Sequence, residues 1–436
     1  MPPVLARSLA LAAAFASLLA GGSARLRATT FHCDPARGGL EGDGSAAHPW
    51  GALEEVVARN LIRWFDADGR CRNPDAPCGP GDTLLLHSGW HGVLRIDTGY
   101  NPRPVTIAAA PGEKPQLGWI EIRRGARWIL RGLAVSPSLA PAKLERVPRH
   151  LVSLGEHGGE ADRELVVEDC FIFTAPDSSG WQPADWMGAA SGIWLGRHGR
   201  DHVARNNHVL NTRFGIALCA PGCLAEGNII ENFSADGLRL TRDDQVARLN
   251  VIKNVFLSAR DGDPNHDDGI QAFLFNVGRG TLRRLRVEDN LILERETAGL
   301  PWPNSLQGIG FFDGPLVDFV VRGNVVRVNA YHGITLGDAQ GCLIESNVVA
   351  AATAGREGRP WIMLGRKRHD PVGNTVRHNR APAFHLEQDR QVRAEDNEPV
   401  TPAIFTQRLR ELRARIDARF GPRHPVSGQP RLLRDR

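Results

Sequence analysis

Hydrophobic and polar positions repeat along this chain as two alternating phrases. In the first, short aliphatic runs flank an Asn: "GCLAEGNII" at 222–230 returns as "GCLIESNVV" at 341–349. Looser copies stand at 165–173, 202–210, 285–293 and 319–327, with Cys170 in the Asn place of the first. The second phrase is Gly followed by an aliphatic residue, with glycines at 192, 215, 237, 269, 308 and 333, in steps of 23, 22, 32, 39 and 25. Short strands at a period of about 22 residues, with insertions between the two phrases, predict a solenoid of coils stacked in register. The aliphatics at 193, 216, 238, 270, 309 and 334 then form one interior column. The Asn side chains form a second column at a turn, able to hydrogen-bond from coil to coil and to backbone.

Helical spacing is confined to the ends. Apolar residues at 53, 56, 57, 61 and 64 predict a helix over 51–65 that plugs the N-terminal opening of the coil. Phe405, Leu409, Leu412, Ile416 and Phe420 share one face of a helix over 402–420, whose opposite face is rich in arginine. The expected order is a leader at 1–24, an N-terminal segment with a capping helix at 25–80, the β-solenoid at 81–395, and a helix with a tail at 396–436. This is the pattern of an all-β, right-handed parallel β-helix. Over residues 80–385 it resembles the pectate-lyase-like superfamily of carbohydrate-active enzymes, which implies an extracellular polysaccharide as partner.

Composition adds constraints. With 42% hydrophobic and 23% charged residues the chain can bury a core, and its net charge of +4 leaves only a weak basic excess. No lysine-rich patch interleaved with aromatics points to nucleic acid. Arg7, the apolar run Leu9–Ala20 and small residues at Gly22 and Ala24 have the layout of a cleaved secretory signal. A soluble, exported monomer, periplasmic or extracellular, is therefore expected. Seven cysteines permit disulfides, with Cys71/Cys78 and Cys219/Cys223 close in sequence, but lack zinc-site spacing.

The candidate chemistry lies at one strand edge. Alternation turns Arg239 and Gln271 outward if Leu238 and Ile270 point inward. Asp236, Asp267, Asp268, Gln307 and His332 then gather beside them, with His266 and Tyr331 one position upstream. Long insertions attach at the same edge and carry Trp186 and Trp302. Their rings are open to two uses, stacking on sugars or packing on the coil. Asp before Gly is also ordinary turn chemistry.

Crowded carboxylates call for a cation or a retained proton. Calcium held by Asp236, Asp267 or Asp268 could bridge to a uronate carboxylate and acidify its C5 proton. Arg239, His266 or His332 would remove that proton, and Tyr331 would protonate the leaving oxygen, which is a lyase. The alternative is a hydrolase with one aspartate as acid and another activating water. "ADG" (235–237), "NHDDG" (265–269) and "YHG" (331–333) are similar to blocks of polygalacturonases, which implies Asp236, Asp267 and Asp268 as catalytic acids with His332 beside them. The sequence departs from that family by an extra coil around Gln307 and by lacking the Arg-Ile-Lys block. A C5-epimerase shares the lyase's proton abstraction, and a non-catalytic carbohydrate-binding solenoid is the remaining reading. A lyase acting on a uronate-containing polysaccharide leads.

Overall fold

The computed structural model describes residues 28–39, 41–256, 267–274, 280–296, 305–353, 355 and 359–421. The expected leader at 1–24, His266 and Trp302 lie outside these residues. The chain winds through three parallel sheets of 13, 11 and 12 strands, with a small three-stranded sheet beside them. Every pairing between strands of successive coils is parallel, and the architecture is the right-handed parallel β-helix.

The second sheet, of 11 strands, runs from Leu94–Ile96 to Ala383–His385. Its inner column is Leu94, Ile120, Val152, Ile193, Ile216, Leu238, Ile270, Ile309, Ile334 and Ile362, each in register with the next. All ten are buried in one continuous core. Each such side chain contributes roughly 1.5–3 kcal/mol by leaving water.

The glycine phrase follows from crowding at the corner between the second and third sheets. A Cβ on Gly237 would lie 2.6 Å from Ile252 Cγ2 and 2.7 Å from the Gly269 carbonyl oxygen. Gly215, Gly269 and Gly308 meet the same two obstacles, an aliphatic side chain of the third sheet and the carbonyl of the next corner glycine. Only a residue without a side chain lets successive coils close there.

The asparagine column forms as a ladder. Asn207, Asn228, Asn250, Asn290, Asn324, Asn347, Asn379 and Asn397 each present Oδ1 to the backbone N–H of the rung before, at 2.9–3.1 Å, beginning at Cys170. Side-chain Nδ2 groups donate onward to the next Oδ1 and back to a carbonyl of the previous coil, as Asn250 does to Asn290 and Ala225. The residue before each rung turns the chain with a left-handed φ, between 49° and 66° from Asn206 and Gly227 to Asp396. Buried amide groups are thus satisfied without water.

A third column was not anticipated. On the outer face of the first sheet Arg131, Glu168, Arg205, Glu226, Arg248, Glu288, Arg322, Glu345, Arg377 and Glu395 stack in register, alternating in sign at every step. Glu226, buried, accepts from Arg205 at 3.1 Å, from Arg248 at 2.8 Å and from Arg419 at 2.7 Å. Like charges directly opposite repel, so a slipped coil is disfavoured.

The N-terminal helix is shorter than expected, whereas the C-terminal one spans the expected residues. Helix α1 is only Leu53–Ala58. His91 Nδ1 receives the Leu53 N–H at 3.3 Å, and Leu53 and Val56 pack on the core. Asn60, at φ 56°, turns the chain away, so Ile62 and Phe65 enter bridges with Cys78 and Cys71 instead of a helix. Helix α2 is Pro183–Gly188, in the first long insertion. Helix α3, Pro402–Phe420, lies along the outer face of the third sheet. Its Phe405, Leu412 and Ile416 are buried against Val251, Leu291, Val325 and Val348. Its arginines are partly committed, Arg413 to Glu296 and Arg415 to Asp289. All seven cysteines are free thiols, and burial pushes those of Cys170, Cys219, Cys223 and Cys342 up to about 12. No helix among the described residues is long and apolar enough to cross a membrane.

Candidate functional site

The outer face of the second sheet collects the titratable residues into two parallel columns. The first, two residues before the inner column, runs His150, Ser191, Phe214, Asp236, Asp268, Gln307 and His332. The second, one residue after it, runs Arg95, Glu121, Ser153, Trp194, Ala217, Arg239, Gln271, Gly310 and Thr335. Asp236, Arg239, Asp268, Gln271, Gln307 and His332 are therefore on one face. With coils about 4.8 Å apart, Asp236 and Asp268 are neighbours and His332 lies roughly 10 Å beyond Asp268. Asp267 sits one position ahead of the column, its carbonyl accepting the Gln307 N–H at 3.1 Å.

Two of the acids are enclosed. Asp236, 2% exposed, takes Arg239 Nε on Oδ2 at 2.5 Å and the Asp268 backbone N–H on Oδ1 at 3.0 Å. Asp268 is fully buried and receives Gln271 Nε2 at 3.1 Å. Its carboxylate fits because the outward position beside it is Gly310, where a Cβ would fall 2.0 Å from Oδ1. These carboxylates position Arg239 and Gln271. The Arg239 guanidinium also lies over the Phe214 ring, 3.8 Å from its centroid, an arrangement that fixes a cation on an aromatic face.

The calcium expectation does not fit this donor set. Both Asp236 oxygens are engaged, one by a cation, and no group of three or more His, Cys, Asp or Glu among the described residues could hold a metal ion.

Of the two uses open to Trp186, it takes packing, not sugar stacking. It is 3% exposed, stacks on Phe256 with centroids 4.3 Å apart and meets Trp181 edge-on at 4.6 Å. Tyr331 is exposed, with the Arg359 guanidinium 3.4 Å from its ring centroid and Trp361 at 4.9 Å. His332 Nδ1 pairs with Thr335 Oγ1 at 2.8 Å, between the edges of Phe312 and Trp361.

Reading the sequence from residue 160 onward missed the part of the strip that lies on earlier coils. A cavity of about 210 Å³ opens there, lined by Arg146, Arg149, Arg197 and Arg239 and by only two carboxylates, Glu121 and Glu156. His150 and Trp194 also line it, their rings stacked at 4.7 Å. Burial, followed by the charges of Arg149 and Arg239, pushes the His150 imidazole down to about 4, so it is neutral near pH 7. Glu156 receives Trp194 Nε1 at 2.5 Å and Arg197 Nε at 3.1 Å. Following the two outward columns back, three coils from Asp236 to His150 and two from Arg239 to Trp194, would have found these residues.

No family model matches the chain, and no curated protein matches its sequence. Among solved structures the chain is similar to a pectate lyase at 12% identity, covering 80% of each chain with a TM-score of 0.46. It is similar to an alginate lyase from Paenibacillus sp. at 13% identity, covering 84% of this chain and 99% of that one, TM-score 0.44. A structure described as a glycoside hydrolase is similar at 11% identity, covering 87% and 98%, TM-score 0.45.

Proposed function

We propose that this protein is an exported enzyme acting on an extracellular polysaccharide, and that it cleaves a uronate-containing chain by β-elimination in the Arg239 cavity. The observation that carries this reading is the charge of the lining: four guanidinium groups against two carboxylates, with Arg197 paired to Glu156 and Arg239 to Asp236. Such a lining favours an anionic sugar. A uronate carboxylate bound between Arg149 and Arg239 would be neutralised, which acidifies the C5 proton beside it. His150, uncharged at neutral pH and lining that cavity together with His157, takes the proton in this scheme. The electron pair left at C5 forms the C4–C5 double bond, and the departing O4 takes a proton from solvent.

This reading moves the base from His332 to His150. His150 lines the cavity with Arg239 and His332 does not, and in this scheme His332 binds the distal part of the chain with Gln307 and Tyr331. The hydrolase alternative needs carboxyl groups presented to the glycosidic bond on its two sides. Asp236 and Asp268 are enclosed and already hydrogen-bonded, which favours elimination. Incubation with polygalacturonate, alginate and glucuronan, followed by absorbance of the unsaturated end, tests the proposal. An ordinary reducing end would mean a hydrolase, and changed C5 stereochemistry without cleavage an epimerase. His150→Ala should lower kcat at least a hundredfold.

A further inference from the structure

A second cavity, of about 290 Å³, lies between the N-terminal cap and the first strands of the second sheet. Trp64, Ile62 and Val57 of the cap and Arg95, Asp97 and Trp128 of the first coils line it. Its volume is at the lower end of small-ligand sites, the size class of one or two sugar rings. The cap wall is held in place. Asn73 Oδ1 accepts the Trp64 backbone N–H at 2.8 Å, while its Nδ2 donates to the Asn60 and Ile62 carbonyls at 3.0 and 2.8 Å. Trp128 is fixed by its indole N–H, which donates to the Gly99 carbonyl at 2.8 Å.

The charges here balance, unlike those of the Arg239 cavity. Arg95 reaches Asp97 at 3.1 Å and Glu121 at 3.6 Å, and Arg123 reaches Asp97 at 3.5 Å. Two cations meet two carboxylates, so a further carboxylate would gain nothing and would face Asp97. An exposed guanidinium beside an exposed carboxylate instead offers donors and an acceptor to the vicinal hydroxyls of an uncharged sugar. Trp64, half-buried in that wall, supplies an indole for the C–H face of such a ring, with the buried Trp128 behind it as core.

We propose that this cleft is a second sugar-binding site, selective for a neutral ring. The proposal rests on the polysaccharide reading above for its ligand class. The two cavities adjoin through Arg95 and Glu121, successive residues of one outward column, and Glu121 also lines the Arg239 cavity. One substrate chain that placed a uronate in the first cavity and a neutral sugar in the second would be a heteropolysaccharide.

Isothermal titration of the full chain with lactose, cellobiose, maltose and rhamnose, with digalacturonate as the charged control, tests this. At least one neutral sugar should bind, and Trp64→Ala and Asp97→Ala should each weaken it at least tenfold, while Arg239→Ala leaves it unchanged. Asp97 is 61% exposed, so its variant keeps the site testable if Trp64→Ala fails to fold. Absence of saturable binding by every neutral sugar, equal binding by wild type and both variants, or digalacturonate displacing the neutral sugar from the Arg239→Ala variant would each overturn the proposal. Neutral-sugar binding without cleavage of any uronate polymer would overturn only the elimination reading.

Discussion

Asp236 grips Arg239 three residues along the same strand edge, Oδ2 to Nε at 2.5 Å, while its other oxygen receives the backbone N–H of Asp268 from the next coil. One carboxylate thus orients a cavity-lining cation and ties two coils together. Asp236→Asn keeps the shape and removes the charge. It should lower kcat/KM on a uronate polymer at least tenfold and cost about 2 kcal/mol in urea unfolding. Unchanged turnover with reduced stability would leave Asp236 only its structural role.

The corner glycines give a sharp steric contrast. Gly237→Ala drives a Cβ to within 2.6 Å of Ile252 and 2.7 Å of the Gly269 carbonyl. Overpacking of this kind should cost ~1–3 kcal/mol. Gly159, with nothing within 4 Å of its Cβ position, should accept Ala with little change in melting temperature.

Asn250 stands mid-ladder and is fully buried. Asn250→Ala removes its bonds to Ala225 and Asn290 and orphans the N–H groups of Asn228 that its Oδ1 accepts. Loss of about 3 kcal/mol or more follows from leaving buried donors unsatisfied. Chemical denaturation should show it as a lower midpoint.

His202 links stability to pH. It accepts the Leu165 N–H on Nδ1 at 3.3 Å and donates from Nε2 to the His198 carbonyl at 3.1 Å, a neutral tautomer. Burial pushes it down to about 4, so the unfolded chain binds the proton more readily than the folded one. The stabilisation is full above about pH 6.5 and is lost as pH falls toward 4, a span worth roughly 3 kcal/mol. In His202→Gln, melting temperature should fall less steeply across that window than in wild type.

The sequence by itself determined the coil. Gly at each tight corner, Asn at each turn and aliphatics between them are demands that every coil makes locally, so they recur and can be read. Helix α3 was legible for the same reason, since its spacing is a local property from Pro402 to Phe420. The placing of Asp236, Asp268, Gln307 and His332 on one face followed from alternation within strands. Which residues meet across coils was decided only by the tertiary structure. Insertions of unequal length hide the register, so the cavity that His150 shares with Arg239, the alternating Arg–Glu column and the room that Gly310 leaves for Asp268 are not written in any single phrase. Burial, too, is a sum over neighbours from distant segments. It turned Trp186 into core and made the acids supports for Arg239 and Gln271.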